Sequence, residues 1–586
     1  MQAEVFEGAV GEDNNANAWL AHRLEAVRKF LKSAVVIDNE PLLRETVDAT
    51  TLERLQPSTE IFDDGMGGKS GALVLKPPAS LETSSRSIEE ESDDHPLDVR
   101  AISDAFVDAG IACAFVLPDN KVSDDEAKIS RALAAAKISD IVCIDWYLKP
   151  KSASLTLKVL ELLAKSDVEE NGRMRLICVY TGQTITDDIF SDMKKALAAG
   201  GVSLDDLGGK KFYAKNGHCL IMALNKAEIS SVQLPNALVE AFTYLADGLI
   251  PAFSLAAVGA IRKNIHHMVT RFDKNLDSAY IANRLITNPP GDVAELMREL
   301  LVAECDNAIG LEAIADEFLD IPAIEKWLGF HKKNLCVTEY EAKKQGANVK
   351  VKIDFETLLG ILRNGVNERE MIVGERDVRD FPEFRRNKVT EALAGNLEKA
   401  MAAENDFSRL VAFRREAFGS TKLSSNDGWL PSLTTGTVLK LGSGGTARFF
   451  MCLTPACDML RLKDPRNFVF LEGVAQVRPY NFVVKDLGGE VISLFFDKKT
   501  PSICTFVFAP DESTQRVRGV KSEDYQSFKF STVKGAGELE FLWLGEIRYG
   551  RAASEMSSLA SNWMRIGILD SEYLRISAKG HFKFGA

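Results

Sequence analysis

No CxxC pair occurs in the 586 residues, so the spacing that signals a structural zinc site or a dithiol redox pair is missing. The nine cysteines are scattered instead. Cys113, Cys143 and Cys178 lie inside apolar strand-like runs and Cys219 opens another, positions that suit buried, reduced thiols. Basic residues are not in excess either. The net charge is −13, which argues against nonspecific attraction to nucleic acid or an anionic membrane. Long apolar runs are also missing. The longest, LIPAFSLAAVGAI at 249–261, has 13 residues, short of the ~20 that span a bilayer. The N-terminal MQAEVFEGAVGEDNN lacks a basic segment followed by an apolar core, so no secretory signal is read. No repeat of fixed period is found. The expectation is a cytoplasmic protein with neither membrane nor nucleic acid as partner, its homo-oligomeric state left open.

What is present is an ordinary globular composition, 46% apolar and 26% charged, sufficient for a sizeable core. The length favours roughly three or four domains of ~150 residues. AWLAHRLEAVRKFLKS (18–33) places Trp19, Leu20, Leu24, Val27 and Leu31 at helical spacing, a lead-in helix with one packing face. From SAVVID to CLIMALNK, strand-like and helix-like segments alternate, which predicts a parallel sheet with helices on both faces. A glycine-rich and then acidic stretch, 47–97, interrupts the alternation and is read as an insertion with a mobile acidic loop. Residues 231–345 read as almost entirely helical, and 355–420 as helical with more charge. Past 428, short runs such as TGTVLKL, ARFFMCLT and LEFLWLGEI predict a small barrel or sandwich. The expected divisions are a helix at 1–32, an α/β domain at 33–230, a helical region at 231–425, a β-rich domain at 426–550 and a helix with tail at 551–586.

The strand ends of the α/β region carry the chemistry. In DIVCIDWYLKP (140–150) an apolar run stops at Asp145. Taken alone, Asp145 reads as a cap or turn acid. But the first strand ends in Asp38, Asn39 and Glu40, the fourth in Thr181-Gly182 and the fifth in Lys226. In a doubly wound parallel sheet these ends share one edge, and ligands bind there at the point where strand order reverses. Oxygen-rich side chains gathered near one carboxylate can hold Mg2+. A carboxylate beside such a metal can act as nucleophile toward a phosphoryl group. A hydroxyl and an ammonium next to it can bind the phosphoryl oxygens.

IDNEPLLRE, DWYLKP, YTG and NK, in that order, resemble the receiver domain of two-component response regulators over roughly 33–227, with 47–97 set aside. The resemblance implies a five-stranded receiver (flavodoxin-like) fold, with Asp145 as phosphoacceptor, Thr181 as hydrogen-bond sensor and Lys226 as counter-charge. It also implies Mg2+ held by Asp38, Asn39, Asp145 and the backbone carbonyl of Tyr147, with Glu40 a further candidate. Its partners would be a histidine kinase as donor and a downstream effector protein. The departures are Asn39 where receivers carry a second acid, Ala227 in place of the usual proline, and Ala223 at the aromatic switch position. They keep a second reading open, a pseudo-receiver scaffold that never binds phosphate. The whole layout resembles large receiver proteins of bacterial defence islands, the receiver component of the Detocs anti-phage system among the candidates.

Other motifs carry less. GKS at 68–70 lacks the first glycine of a P-loop, since position 63 is Asp63, and LVLKPP follows where a helix should start. A dehalogenase-like phosphatase needs a second acid at Tyr147. His266 and His267 invite a phosphotransfer reading; the plainer expectation puts one histidine in the core and the other in solvent. Cys452 and Cys457 flank a proline turn with no histidine nearby, and LGSGGTA (441–447) reads as a hairpin turn. The C-terminal half offers no nucleophile–base pair, metal cluster or cofactor loop, and the chain is expected not to be an enzyme.

Overall fold

Uninterrupted Val/Ile/Cys runs build the N-terminal sheet, because a strand covered on both faces has no place for a polar residue. The computed structural model describes residues 2–42, 97–118, 124–170, 172–287, 291–344, 347–366, 371–373, 377–379, 385–418, 429–522, 527–533 and 538–563. Most of the expected insertion 47–97, with its DDGMGGKSG loop, lies outside the described residues, as does the tail from 564. The chain falls into two units, Leu20–Gly259 and a second made of Met1–Trp19 with Ala260–Ala586.

In the first unit, β1 (Ser33–Ile37), β2 (Ala112–Val116), β3 (Ile141–Ile144), β4 (Arg175–Thr181) and β5 (Cys219–Asn225) are parallel, in the order β2-β1-β3-β4-β5. This is a doubly wound order whose switch point lies between β1 and β3. Five strands were expected and the sheet has seven. Tyr213–Lys215 pairs antiparallel with β5, and Asp205–Asp206 extends the edge beyond it. Segments of two and three residues are too short to carry a periodic signal.

Successive side chains alternate between two cores. Val36, Cys143, Cys178 and Met222 face one, together with α1 (Gln2–Phe30), α2 (Val99–Asp108) and α6 (Leu234–Phe242). Val35, Val142, Ile177 and Ile221 face the other, with α3 (Asp125–Ile138), α4 (Ser154–Glu169) and α5 (Asp187–Ala199). The connections are capped where the sequence offers an acid or hydroxyl. Asp98 accepts from the Ala101 amide (3.0 Å), Asp124 from Ala127 (3.0 Å) and Thr186 from Ile189 (3.3 Å). Each cap fixes where a helix leaves the sheet edge.

The described residues of the second unit between Ile265 and His331 are mostly helical, and the chain then departs from the helical expectation in two places. Thr338–Lys344 and Ala347–Ile353 form a hairpin, and Met371–Val373 pairs with Asp377–Arg379. In the first hairpin Tyr340, Ala342, Val351 and Ile353 are buried, a period of two that overrides helix propensity. His266 and His267 also correct the expectation. Both are exposed, their rings 3.8 Å apart, and Met268 takes the inward position. Beyond Phe413 an antiparallel ten-stranded sheet carries one core on each face, one around Phe449, Leu471 and Phe496 and the other around Phe450, Phe470 and Trp543. LGSGGTA joins Thr437–Leu441 to Arg448–Cys452 as a hairpin connection. Among the described residues no helix is long and apolar enough to cross a membrane.

Candidate functional site

Register brings the strand ends level. Ile37 pairs with Ile144, Ile144 with Val179, and Thr181 with Asn225. Asp38 and Asp145 are therefore the first residues past the ends of the two switch-point strands. Backbone bonds hold them there, from the Asp38 amide to the Val116 carbonyl (3.2 Å) and from the Asp145 amide to the Ile37 carbonyl (2.9 Å). Lys226 begins two strands away. Its amide donates to the Thr181 carbonyl (2.8 Å), and its four-carbon stem carries Nζ back across the edge.

That Nζ lies 2.8 Å from Asp38 Oδ2 and 3.3 Å from Asp145 Oδ1. Asp38 and Asp145 are 2% and 8% exposed, so two carboxylates share a desolvated edge around one ammonium, with a net charge of −1. Their remaining oxygens meet backbone donors. The Glu40 amide donates to Asp38 Oδ1 (2.8 Å), and the Tyr147 amide to Asp145 Oδ2 (2.9 Å). Burial pushes the Asp145 carboxyl above its ordinary range, opposed by Lys226 and reinforced by Asp38. For Lys226 burial pulls the other way, but the Asp145 and Asp38 carboxylates prevail and hold the ammonium above its ordinary value.

The sharp exit of the chain after Asp145 has a packing cause. Trp146 and Leu148 return into the core beneath the edge, while Tyr147 between them stays half-buried. Lys149–Ser152 then closes a turn, the Ser152 amide donating to the Lys149 carbonyl (3.0 Å). Pro150 takes its second position and Lys151, at φ 56°, its third. Thr156, fully buried on α4, donates from Oγ1 to the Asp145 carbonyl (2.8 Å) and fixes the backbone of the candidate nucleophile.

Of the expected residues, Asp38, Asp145 and Lys226 meet. Thr181 stands on the adjoining strand, 1% exposed, and its Oγ1 accepts from the Gln183 amide (3.2 Å). Asn39 and Glu40 are half-buried beside Asp38, and Glu40 contributes its amide to the Asp38 carboxylate. Tyr147 contributes its amide to Asp145. Ala223 faces the core beside α5, its amide donating to the Phe212 carbonyl (3.2 Å).

Three contributors escaped the strand-end reading. Thr156 is one. Asn225 is another, donating from Nδ2 to the Gln183 carbonyl (2.9 Å) and accepting from the Ala227 amide (2.7 Å), which ties the β4 and β5 loops together. Tyr180, whose hydroxyl donates to the Ile229 carbonyl (2.7 Å), lies under Lys226 with Nζ 5.9 Å from its ring centroid. An asparagine just before the lysine, and a hydroxyl on an otherwise apolar helix face, were the available signals.

Among the described residues no group of three or more His, Cys, Asp or Glu side chains could hold a metal ion. The two carboxylates of Asp38 and Asp145 at one edge are oxygen donors of the kind a hard divalent cation takes. Residues 30–231 match the family model described as the response receiver domain. No curated protein and no solved structure matches the chain.

Proposed function

Proceeding from a response receiver domain at residues 30–231, we propose that the chain is the phosphoacceptor of a two-component phosphorelay, taking its phosphoryl group from a histidine kinase onto Asp145. The observation that carries the reading is the meeting of Asp38, Asp145 and Lys226 from three strand ends, at 2.8 and 3.3 Å, in a buried edge. An Asp145 carboxylate oxygen attacks the phosphorus of the kinase phosphohistidine. The P–O bond forms as the P–N bond breaks, and the departing imidazole keeps the electron pair and takes a proton from solvent. Lys226 would neutralise a phosphoryl oxygen, and the Thr181 hydroxyl is the donor candidate for another. Asp38, Asn39, Asp145 and the Tyr147 carbonyl would hold Mg2+, which when bound offsets phosphoryl charge. Replacing the Asp145 carboxylate (−1) by an acyl phosphate of about −2 adds roughly one negative charge, which would displace Lys226 from its present partners and so move the β4 and β5 loops. In this reading the chain itself turns over no substrate; an effector protein reads the shift.

The test is labelling by acetyl phosphate or a cognate kinase with Mg2+, comparing wild type with Asp145→Asn. Wild type takes label and the variant does not; equal labelling removes the assignment. Asn39 and Ala223 favour one other reading, a scaffold that never binds phosphate. Beryllofluoride separates the two, since calorimetric binding supports the phosphoacceptor and its absence the scaffold. The whole-chain layout supports a place in anti-phage defence. Phage plating on cells carrying wild type or Asp145→Asn tests that part, and identical plating efficiencies would remove it.

A further inference from the structure

The second unit contains a cavity of about 820 Å3 at one end of the β-rich sheet, a volume suited to a small organic ligand. Its walls come from two paired segments and the end of a long strand. The Leu433 amide donates to the Val517 carbonyl (2.9 Å) and the Gly519 amide to the Pro431 carbonyl (2.7 Å), so 431–433 and 517–519 run side by side. Val517 turns into the core, which places Arg516 and Arg518 together on the opposite face, toward the cavity. Arg414 and Arg415 line it from the neighbouring strand. Both pair with Glu546, at 3.4 and 3.1 Å, so one carboxylate serves two guanidiniums. Arg298 and Glu299 also line it and offset each other, so the described lining residues bring five arginines against two glutamates in a chain of net −13.

An aromatic platform stands beside this charge. The Arg415 guanidinium lies 5.2 Å from the ring centroid of Trp429, and Trp429 is braced edge-on by Phe528 at 5.6 Å. Guanidiniums recognise phosphate through paired N–H donors, and a Trp–Arg stack accepts a planar ring. We propose that this cavity binds a nucleoside polyphosphate, with phosphates toward Arg516 and Arg518 and the base toward Trp429. A single-stranded nucleic acid would also offer phosphate and base. The acidic chain repels a long polyanion, whereas a concave site admits a short one.

The experiment is titration calorimetry on the full chain in EDTA, so that metal-dependent phosphate binding at the receiver does not contribute. ATP, GTP, adenosine, inorganic triphosphate and a ten-nucleotide RNA are the probes. A nucleoside triphosphate should bind at least tenfold more tightly than adenosine or inorganic triphosphate. The double variant Arg516→Ala/Arg518→Ala should lose at least tenfold, and Arg516→Lys/Arg518→Lys should fall between. Circular dichroism spectra matching wild type establish that the variants fold. No heat with either nucleotide, an unchanged affinity in the folded alanine variant, or inorganic triphosphate matching ATP would overturn the proposal. RNA binding more tightly than mononucleotide would also overturn it.

Discussion

Replacing Lys226 by methionine removes the one ammonium between Asp38 and Asp145 while keeping a stem of similar length. At an effective dielectric of ~20, each contact at 2.8 and 3.3 Å is worth roughly 5–6 kcal/mol before desolvation. Desolvating the three groups and opposing the two carboxylates returns most of that. What remains is the cost of leaving buried charges uncompensated, about 3–5 kcal/mol. The size should depend on pH. Burial already raises the Asp145 carboxyl above its unfolded value, so the folded state binds protons that the unfolded state releases. This group's contribution is therefore most favourable below its unfolded pKa and falls as pH rises toward the folded one. Losing Lys226 raises the folded pKa further, and acid then relieves the defect by protonation. Lys226 has a dependence of the same sign in wild type but in a higher pH window, stabilising below its unfolded pKa and losing that contribution as pH rises through the raised folded value. Hydrogen exchange of peptides from β1, β3 and β5 in the full chain, corrected for intrinsic rates, reads the effect locally. Protection in Lys226→Met should fall about 150- to 5000-fold at pH 7.5, with a clearly smaller loss at pH 5. Wild-type protection at pH 7.5, or an equal loss at both pH values, would refute the electrostatic account.

Thr156→Val keeps the shape but leaves the buried Asp145 carbonyl without its hydroxyl donor. The expected cost is ~1–3 kcal/mol in exchange protection around β3, with slower acetyl phosphate labelling. Arg175→Ala strands the buried Asp167 carboxylate, now 2.7 Å from the guanidinium, and releases the Ala136 carbonyl at the end of α3 (2.6 Å). A loss of about 3–5 kcal/mol in the same exchange assay is expected, with Asp167→Asn milder. Asn39→Asp restores a second acid beside Asp38 and should tighten Mg2+ in calorimetric titration at least several-fold. An unchanged Mg2+ affinity would place residue 39 outside the metal set.

How far the site could be read in advance follows from the geometry of parallel sheets. Strands covered on both faces announce themselves as apolar runs, and the first polar residue after each run must lie on the common edge. Asp38, Asp145 and Thr181 were legible for that reason, while Lys226 lies one residue beyond Asn225, the first polar residue after CLIMAL. Thr156 was not, because its partner is a backbone carbonyl 11 residues away across a turn, and backbone acceptors leave no trace in a sequence. Tyr180 was hidden inside an apolar run, where it looked like core. The hairpin at 338–353 had a signal in ANVKVKI, whose alternation is that of a half-buried strand, but the helical segments on either side masked it. His266 and His267 show the same limit from the other direction, since adjacent helical positions lie ~100° apart and a shift of one position in phase puts Met268 inward and leaves both histidines exposed.

The charge at the edge links Asn39 to Lys226. Two buried carboxylates within reach of one ammonium carry −1; a third acid at half-buried position 39, next to Asp38 in the chain, would make it −2. The amide keeps oxygen-donor chemistry at that position without the extra repulsion. It also leaves Lys226 matched to the two carboxylates it touches. Phosphorylation of Asp145 would break that match, because the phosphoryl oxygens compete for the same ammonium at higher charge. In the proposed reading Lys226 would then give up Asp38, and its backbone, bonded to Thr181, would carry the shift to the loop that Asn225 ties to Gln183. An Asn225→Ala variant separates these roles. It should label on Asp145 as wild type does, yet lose the phosphorylation-dependent change in exchange at residues 182–186 and 226–231. If that change survives, the output does not travel through the tied loops.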